Sequence, residues 1–153
     1  MSTVSPSPSA LADMTLEIIE ELRVHASIDD TFAALLAELG PDNQMGNGQP
    51  MPMVLEAWPG GRWFRDLGNG NGHWWGQVQA IRVPTLLEIH GPLMMSFPVA
   101  SNVQYRLRAD GTDTIVTLRH SAFGLIPDGF KVPFSQGWKA ISTRLASRFP
   151  ASA

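Results

Sequence analysis

Three polar residues have side chains suited to acid–base chemistry, provided that the fold brings them together: Glu20, Tyr105 and His120. Under strand alternation each falls on an otherwise apolar face. A carboxylate beside an imidazole or a phenol could serve as general acid and base, so Glu20 and His120 are the candidate catalytic residues. Two simpler interpretations stay open. A strand bulge could turn Glu20 to solvent, and His120 could be a buried histidine that hydrogen-bonds a neighbour.

Other reaction classes lack the residues that they need. The sequence contains no cysteine, which excludes disulfides, cysteine-ligated zinc and a thiol nucleophile. Its 4 histidines are scattered without the spacing of a metal motif, so we predict no metal site and no cofactor. The G-x-S-x-G turn of many serine hydrolases is also absent.

The glycine-rich stretch GNGNGHWWGQV, residues 68–78, raises the question of a phosphate-binding loop. Such a loop needs a following helix, whose N-terminus supplies free N–H groups and a favourable dipole. Here the stretch lies between two strand-like apolar runs, and its glycine spacing matches neither common nucleotide motif. We therefore predict a hairpin turn.

The charge of the chain argues against polyanionic partners. The formal net charge is −3 and no lysine- or arginine-rich run is present, so we predict no nucleic-acid and no membrane partner. The N-terminus has no basic segment followed by an apolar stretch, which leads us to expect a cytoplasmic protein. Of the 153 residues 44% are hydrophobic, enough for one sizeable core.

Composition divides the chain into a tail and one domain. Residues 1–13 are rich in serine and proline and predict a disordered N-terminal tail, while residues 14–150 predict a single domain. The domain begins with a strand-like stretch, TLEIIEELRVHA. A helix follows, which Ser27 or Asp29 can cap and which Gly40-Pro41 ends. After a loop at 40–52, about six short apolar runs separated by turn residues predict an antiparallel meander.

The last two strands of the meander have a predictable register. A turn at Asp110–Asp113 sets Tyr105 against Leu118 and Val103 against His120. Tyr105 and His120 then share the buried face. The C-terminal segment predicts a long helix, because its apolar residues recur every three or four positions, whereas its polar residues, Ser142 among them, mostly face away. That apolar stripe comprises Phe134, Trp138, Ile141, Leu145 and Phe149.

With this order of elements, the sequence resembles the SRPBCC superfamily, which has the START-like helix-grip fold of the birch-pollen allergen. Several motifs also resemble the branch related to activators of the heat-shock chaperone ATPase. The resemblance covers residues 15–149 and departs from the usual pattern in the 40–52 loop and at Ala122. The segments that carry it are RVHASIDDTFAAL, PGGRWF, WGQVQAIRVPTLLEI, GTDTIVTLRHSAFG and QGWKAISTRL.

The resemblance implies an α+β fold in which a curved antiparallel sheet of about seven strands wraps around the long C-terminal helix. The space between them would be an apolar cavity. We therefore expect a small protein that binds an apolar or aromatic small molecule, and we favour binding over catalysis while leaving the enzyme question open. An enzyme acting on such a ligand, for example a cyclase, dehydratase or hydrolase, is the first alternative. A chaperone-related protein-interaction module is the second.

The expected ligand-binding residues combine inward-facing strand positions with the helix stripe. The tryptophans near the two turns, Trp58, Trp63, Trp74 and Trp75, could instead be ordinary core and sheet packing. Apolar residues in the 91–98 loop suggest a lid, or a surface for a homodimer or another protein partner. The predicted ligand-binding residues are Glu20, Trp63, Trp75, Tyr105, Leu118, His120, Phe134, Trp138 and Ile141.

Overall fold

The computed structural model of the protein describes residues 12–151. Within this range it contains seven strands, two long helices and a short helical stretch at residues 12–13. Residues 1–11 of the predicted disordered tail lie outside the described residues. The helices are α1 (Ile28–Leu39) and α2 (Lys131–Ser147). The strands are β1 (Thr15–Val24), β2 (Val54–Leu55), β3 (Arg62–Gly68), β4 (Asn71–Arg82), β5 (Leu86–Gly91), β6 (Val99–Asp110) and β7 (Asp113–Gly124).

All seven strands form one curved antiparallel sheet in the order β1-β7-β6-β5-β4-β3-β2. After β1 the strands follow one another as a meander from β2 to β7. Strand β1 pairs with β7, so β1 and β2 are the two edges of the sheet. Helix α2 packs against β1 and α1. The predicted α+β architecture, a sheet of seven strands around a C-terminal helix, is therefore confirmed.

Two hairpins form as the sequence predicts. Asp110 pairs with Asp113, which sets Tyr105 opposite Leu118 and Val103 opposite His120, as predicted. The glycine-rich stretch makes the β3–β4 hairpin, in which Gly68 pairs with Asn71. Asn69 and Gly70 at its tip both have positive φ, as two-residue hairpin turns often require. The stretch is thus a turn between strands.

Helix α1 begins and ends at the predicted signals. The backbone N–H of Asp30 donates to the Ser27 hydroxyl at 3.2 Å, so Ser27 is the N-cap. The acidic side chains of Asp29 and Asp30 lie in the first turn, where the helix dipole favours negative charge. Gly40 ends the helix. These local interactions place the buried side of α1 against the core.

Helix α2 presents the predicted apolar stripe to the sheet: Phe134, Trp138 and Leu145 are buried and Ile141 is half-buried. The prediction that Ser142 faces away was wrong. Ser142 is buried because it lies on the side of the helix that meets β1, where its hydroxyl donates to the Glu20 carboxylate. Neither helix within residues 12–151 is long and apolar enough to cross a membrane.

Candidate functional site

A cleft of about 550 Å³ lies between helix α2 and the β3–β4 part of the sheet. The 43–51 segment and the start of the β5–β6 loop complete its walls. Most of the surface is apolar, with a few polar groups from the 43–51 segment and from α2. The lining residues used below are Asn43, Gln44, Met51, Trp63, Trp75, Leu93, Phe134, Gln136, Gly137, Trp138, Ile141 and Arg144.

Two tryptophans from neighbouring strands form the sheet side of the cleft. Trp63 and Trp75 pack edge to face, with ring centroids 5.0 Å apart. Trp63 is fixed in place because its indole N–H donates to the Leu39 carbonyl at 2.8 Å, and the Trp75 N–H donates to His73 Nδ1 at 3.1 Å. Trp74 points to the opposite face and is exposed, as strand alternation predicts. The wall is therefore rigid and aromatic.

His120 lies behind the helix side of this cleft, fully buried on β7. Its Nδ1 accepts a hydrogen bond from the Trp138 indole N–H at 2.9 Å, and its Nε2 is 3.0 Å from the Ser101 hydroxyl oxygen. Because indole can only donate, Nδ1 must be unprotonated, so the proton sits on Nε2 and is donated to Ser101. Burial lowers the pKa of His120 from 6.5 to about 4. The imidazole is thus neutral, and both its nitrogens are occupied.

Glu20 faces the interior, and no bulge turns it to solvent. The β1–β7 register is unbroken from Thr15 to Val24, and the Glu20 carboxylate accepts a hydrogen bond from Ser142 on α2 at 3.0 Å. The hydrogen-bond partner of Glu20 is therefore a side chain of helix α2. The hydrogen bonds of His120 run to Ser101 and Trp138, so Glu20 and His120 do not form an acid–base pair.

The Tyr105 hydroxyl is buried and has no hydrogen-bond partner within the described part of the chain. Its ring packs edge to face on Trp138, at a centroid distance of 6.2 Å. Burial raises the pKa of Tyr105 above its ordinary value; the nearby charge of Glu20 adds to the rise and that of Arg144 opposes it. The phenol stays protonated and lies within electrostatic reach of both side chains.

Arg144 belongs to a network that joins α2 to α1. Its Nε donates to one oxygen of Glu38 at 3.0 Å, and Arg148 Nε donates to the other at 2.9 Å. Arg148 also contacts Asp42 at 2.7 Å. The Glu38 carboxylate is almost fully buried, and it forms ion pairs with two guanidinium groups at the same time. The network holds α2 beside α1 and brings Arg144 to the edge of the cleft.

Comparisons with known proteins identify the fold. No protein-family model matches the sequence, and no curated protein matches it. Among solved structures, CalU16 from Micromonospora echinospora is 22% identical, with a TM-score of 0.60 over 88% of this chain and 76% of its own. The Aha1 dimer from Colwellia psychrerythraea is 16% identical, with a TM-score of 0.61 over 88% of this chain and 96% of its own.

A third similar structure is StfQ, the di-domain ARO/CYC from the steffimycin biosynthetic pathway. It is 13% identical, with a TM-score of 0.57 over 92% of this chain, and the chain spans 52% of StfQ. This chain has the helix-grip fold. The predicted superfamily resemblance is supported at the level of the fold, and the narrower branch related to chaperone ATPase activators stays a prediction.

The helix-grip structure brings five of the nine predicted ligand-binding residues to one cleft. They come from two strands and from the stripe of α2, and they are Trp63, Trp75, Phe134, Trp138 and Ile141. The other four are not among the residues that line it: Glu20, Tyr105, Leu118 and His120. These four lie on β1, β6 and β7, beneath the part of α2 that packs closely on the sheet.

Sequence reasoning missed several lining residues of this helix-grip cleft, including Met51, Leu93 and Arg144. A signal for Arg144 was present, because Gly137, Ile141 and Arg144 recur at four and three residues and so share one side of α2. No comparable signal marks Met51, which reaches the cleft because the 43–51 segment folds back on itself through a hydrogen bond from the Met51 N–H to the Asn43 carbonyl at 2.8 Å.

The 91–98 loop packs most of its apolar side chains. Leu93 and Met95 are buried, and Phe97 stacks edge to face on Phe130 at 5.2 Å. Met94 is the exposed large apolar side chain of the loop. A homodimer or other partner contact through residues 91–98 stays a prediction. Within residues 12–151 no three His, Asp or Glu side chains converge as a metal site would require.

Proposed function

We propose that this protein binds an apolar or aromatic small molecule in the cleft between α2 and the β3–β4 hairpin. The observation that carries the proposal is the wall of Trp63, Trp75, Phe134 and Trp138 around a cleft of about 550 Å³. Small-molecule sites in proteins typically have volumes of roughly 300–1,000 Å³ and combine apolar and aromatic walls with a few polar groups. The size and the lining of this cleft both match that pattern.

Binding is better supported than catalysis by the groups around the cleft. A general acid or base must reach the reacting atom with a proton to give or a lone pair to accept one. Both nitrogens of His120 are engaged inside the protein, and Glu20 is bonded to Ser142. StfQ is an ARO/CYC, and an enzyme acting on a similar ligand is the second candidate for this chain. The polar group of the cleft whose hydrogen-bonding capacity is not fully used is Arg144, because its buried Nη2 has no partner among the described residues.

A fluorescent probe and one pair of variants test the binding proposal. Gly137 lines the cleft from α2, and a Cβ at this position would meet no atom within 4 Å, so Gly137→Phe adds its side chain at the cleft without a clash at the Cβ. Ser135→Phe is the matched control, because Ser135 is exposed on α2 and is not a lining residue. The probe is phenylnaphthylamine, an uncharged aromatic molecule whose emission rises in apolar surroundings.

We expect the wild-type protein and Ser135→Phe to bind the probe equally, and Gly137→Phe to bind it at least about tenfold more weakly, since its side chain competes for the same space. Native mass spectrometry of freshly purified protein should show a co-purified small molecule. Failure of the wild type to bind the probe, together with no thermal shift across a broad panel of apolar compounds, would contradict the proposal.

A further inference from the structure

Arg144 is the only charged residue among the described residues that line the cleft. The polar lining residues Asn43, Gln44 and Gln136 are neutral, and most of the remaining lining is apolar. The charge of Arg144 is balanced within its network, because Arg144 and Arg148 face the carboxylates of Glu38 and Asp42. A preference for an anionic ligand therefore rests on the N–H donors of Arg144 that this network leaves unused.

The hydrogen-bonding capacity of Arg144 is also incompletely used. A guanidinium group has five N–H donors, and Arg144 makes one hydrogen bond, from Nε to a Glu38 carboxylate that Arg148 shares. Its Nη2 is buried and has no partner anywhere in residues 12–151. Buried donors without an acceptor are costly, so an acceptor oxygen at this position would be favoured.

We infer that the cleft binds an acidic aromatic molecule, whose ring system lies against Trp63, Trp75 and Trp138 and whose anionic oxygen accepts a hydrogen bond from the Arg144 guanidinium. The inference rests on the proposed function and specifies its ligand class. A carboxylate, a sulfonate or an ionised phenol carries the required oxygen, and charged acceptors bind a guanidinium more strongly than neutral ones do.

The position of Arg144 also sets the orientation of the bound ligand in the cleft. Nη2 is covered by protein atoms, whereas the side chain as a whole keeps 19% of its surface exposed. The guanidinium itself is planar, but rotation about the aliphatic bonds of the Arg144 stem can turn its unused N–H groups toward the cleft while the backbone of α2 stays in place. The acidic group is therefore expected at the inner end beside α1, with the rings toward β3 and β4.

Two probes with the same ring system separate charge from shape. Anilinonaphthalenesulfonate and phenylnaphthylamine share the anilinonaphthalene body, and only the first carries an anionic sulfonate. Arg144→Gln removes the cation at the cleft. Arg148→Gln is the matched control, because Arg148 also donates to Glu38 but is not a lining residue. Arg144→Lys keeps the charge with a different geometry, and circular dichroism checks that each variant is folded.

We expect the wild type and Arg148→Gln to bind the anionic probe about tenfold or more tightly than Arg144→Gln does, while the neutral probe binds all three within about twofold. Arg144→Lys should retain part of the preference. Equal affinity of the wild type for the two probes, or the same loss in Arg144→Gln and Arg148→Gln, would overturn the inference and leave the binding proposal standing. Binding of neither probe would overturn both.

Discussion

Replacement of His120 by glutamine should remove a pH-dependent part of the stability of this protein. In the folded chain the imidazole is neutral, because it is fully buried and because Trp138 needs an unprotonated Nδ1 as its acceptor. Protonation would add a buried charge and eliminate that acceptor. The His120 pKa is therefore lowered from 6.5 to about 4.

The sign and size of the effect follow from this pKa difference. Between pH 6.5 and about pH 4 the unfolded chain binds a proton that the folded chain does not, so the free energy of unfolding falls as the pH falls. The full contribution of His120 is present above pH 6.5 and is lost by about pH 4. Each pH unit corresponds to about 1.4 kcal/mol, which gives a total of about 3 kcal/mol and about 2 kcal/mol between pH 7 and pH 5.

The assay is urea unfolding of the wild type and His120→Gln at pH 7 and pH 5. Glutamine can accept from Trp138 through its carbonyl oxygen and donate to Ser101 through its amide, but it cannot be protonated in this range. We expect the wild type to lose about 2 kcal/mol of unfolding free energy relative to His120→Gln between pH 7 and pH 5. The exposed His90 of β5 provides the control His90→Gln, which should behave as the wild type does. A difference that stays constant with pH would refute the buried neutral imidazole.

Two further substitutions test the packing of α2. Glu38→Gln should lower the free energy of unfolding by about 3 kcal/mol, because it leaves the partly buried Arg144 without a counter-charge and Arg148 with Asp42 alone. Glu17→Gln, in an exposed pair with Arg119, should cost less than about 1 kcal/mol. Equal losses in the two urea titrations would show that the Glu38 network contributes no more than a surface pair. Tyr105→Phe should leave the free energy of unfolding unchanged or raise it, because the Tyr105 hydroxyl is buried without a partner among the described residues. A decrease of the free energy of unfolding by more than about 1 kcal/mol in a urea titration would reveal a hydrogen bond at that oxygen.

The sequence by itself determined the local features of this protein. The register of β6 and β7 followed from alternating side chains and one turn at Asp110–Asp113, and a register error would have exposed the whole buried face. The limits of α1 followed from Ser27 and Gly40, because capping and helix termination depend on a few neighbouring residues. Five aromatic or apolar residues of the cleft followed from which face of a strand or helix each occupies.

The tertiary structure alone decided which polar groups meet. Ser142 bonds Glu20 across 122 residues of sequence, and Arg144 bonds Glu38 across 106. Periodicity gives the face of a helix on which a residue lies, but the partner depends on where the curved sheet and α1 place their own side chains. For this reason the candidate acid–base pair of Glu20 and His120 does not form, although both side chains face inward. Helix α2 covers β1 closely and leaves the β3–β4 side open, and that asymmetry of packing creates the cleft and brings Arg144 to its edge.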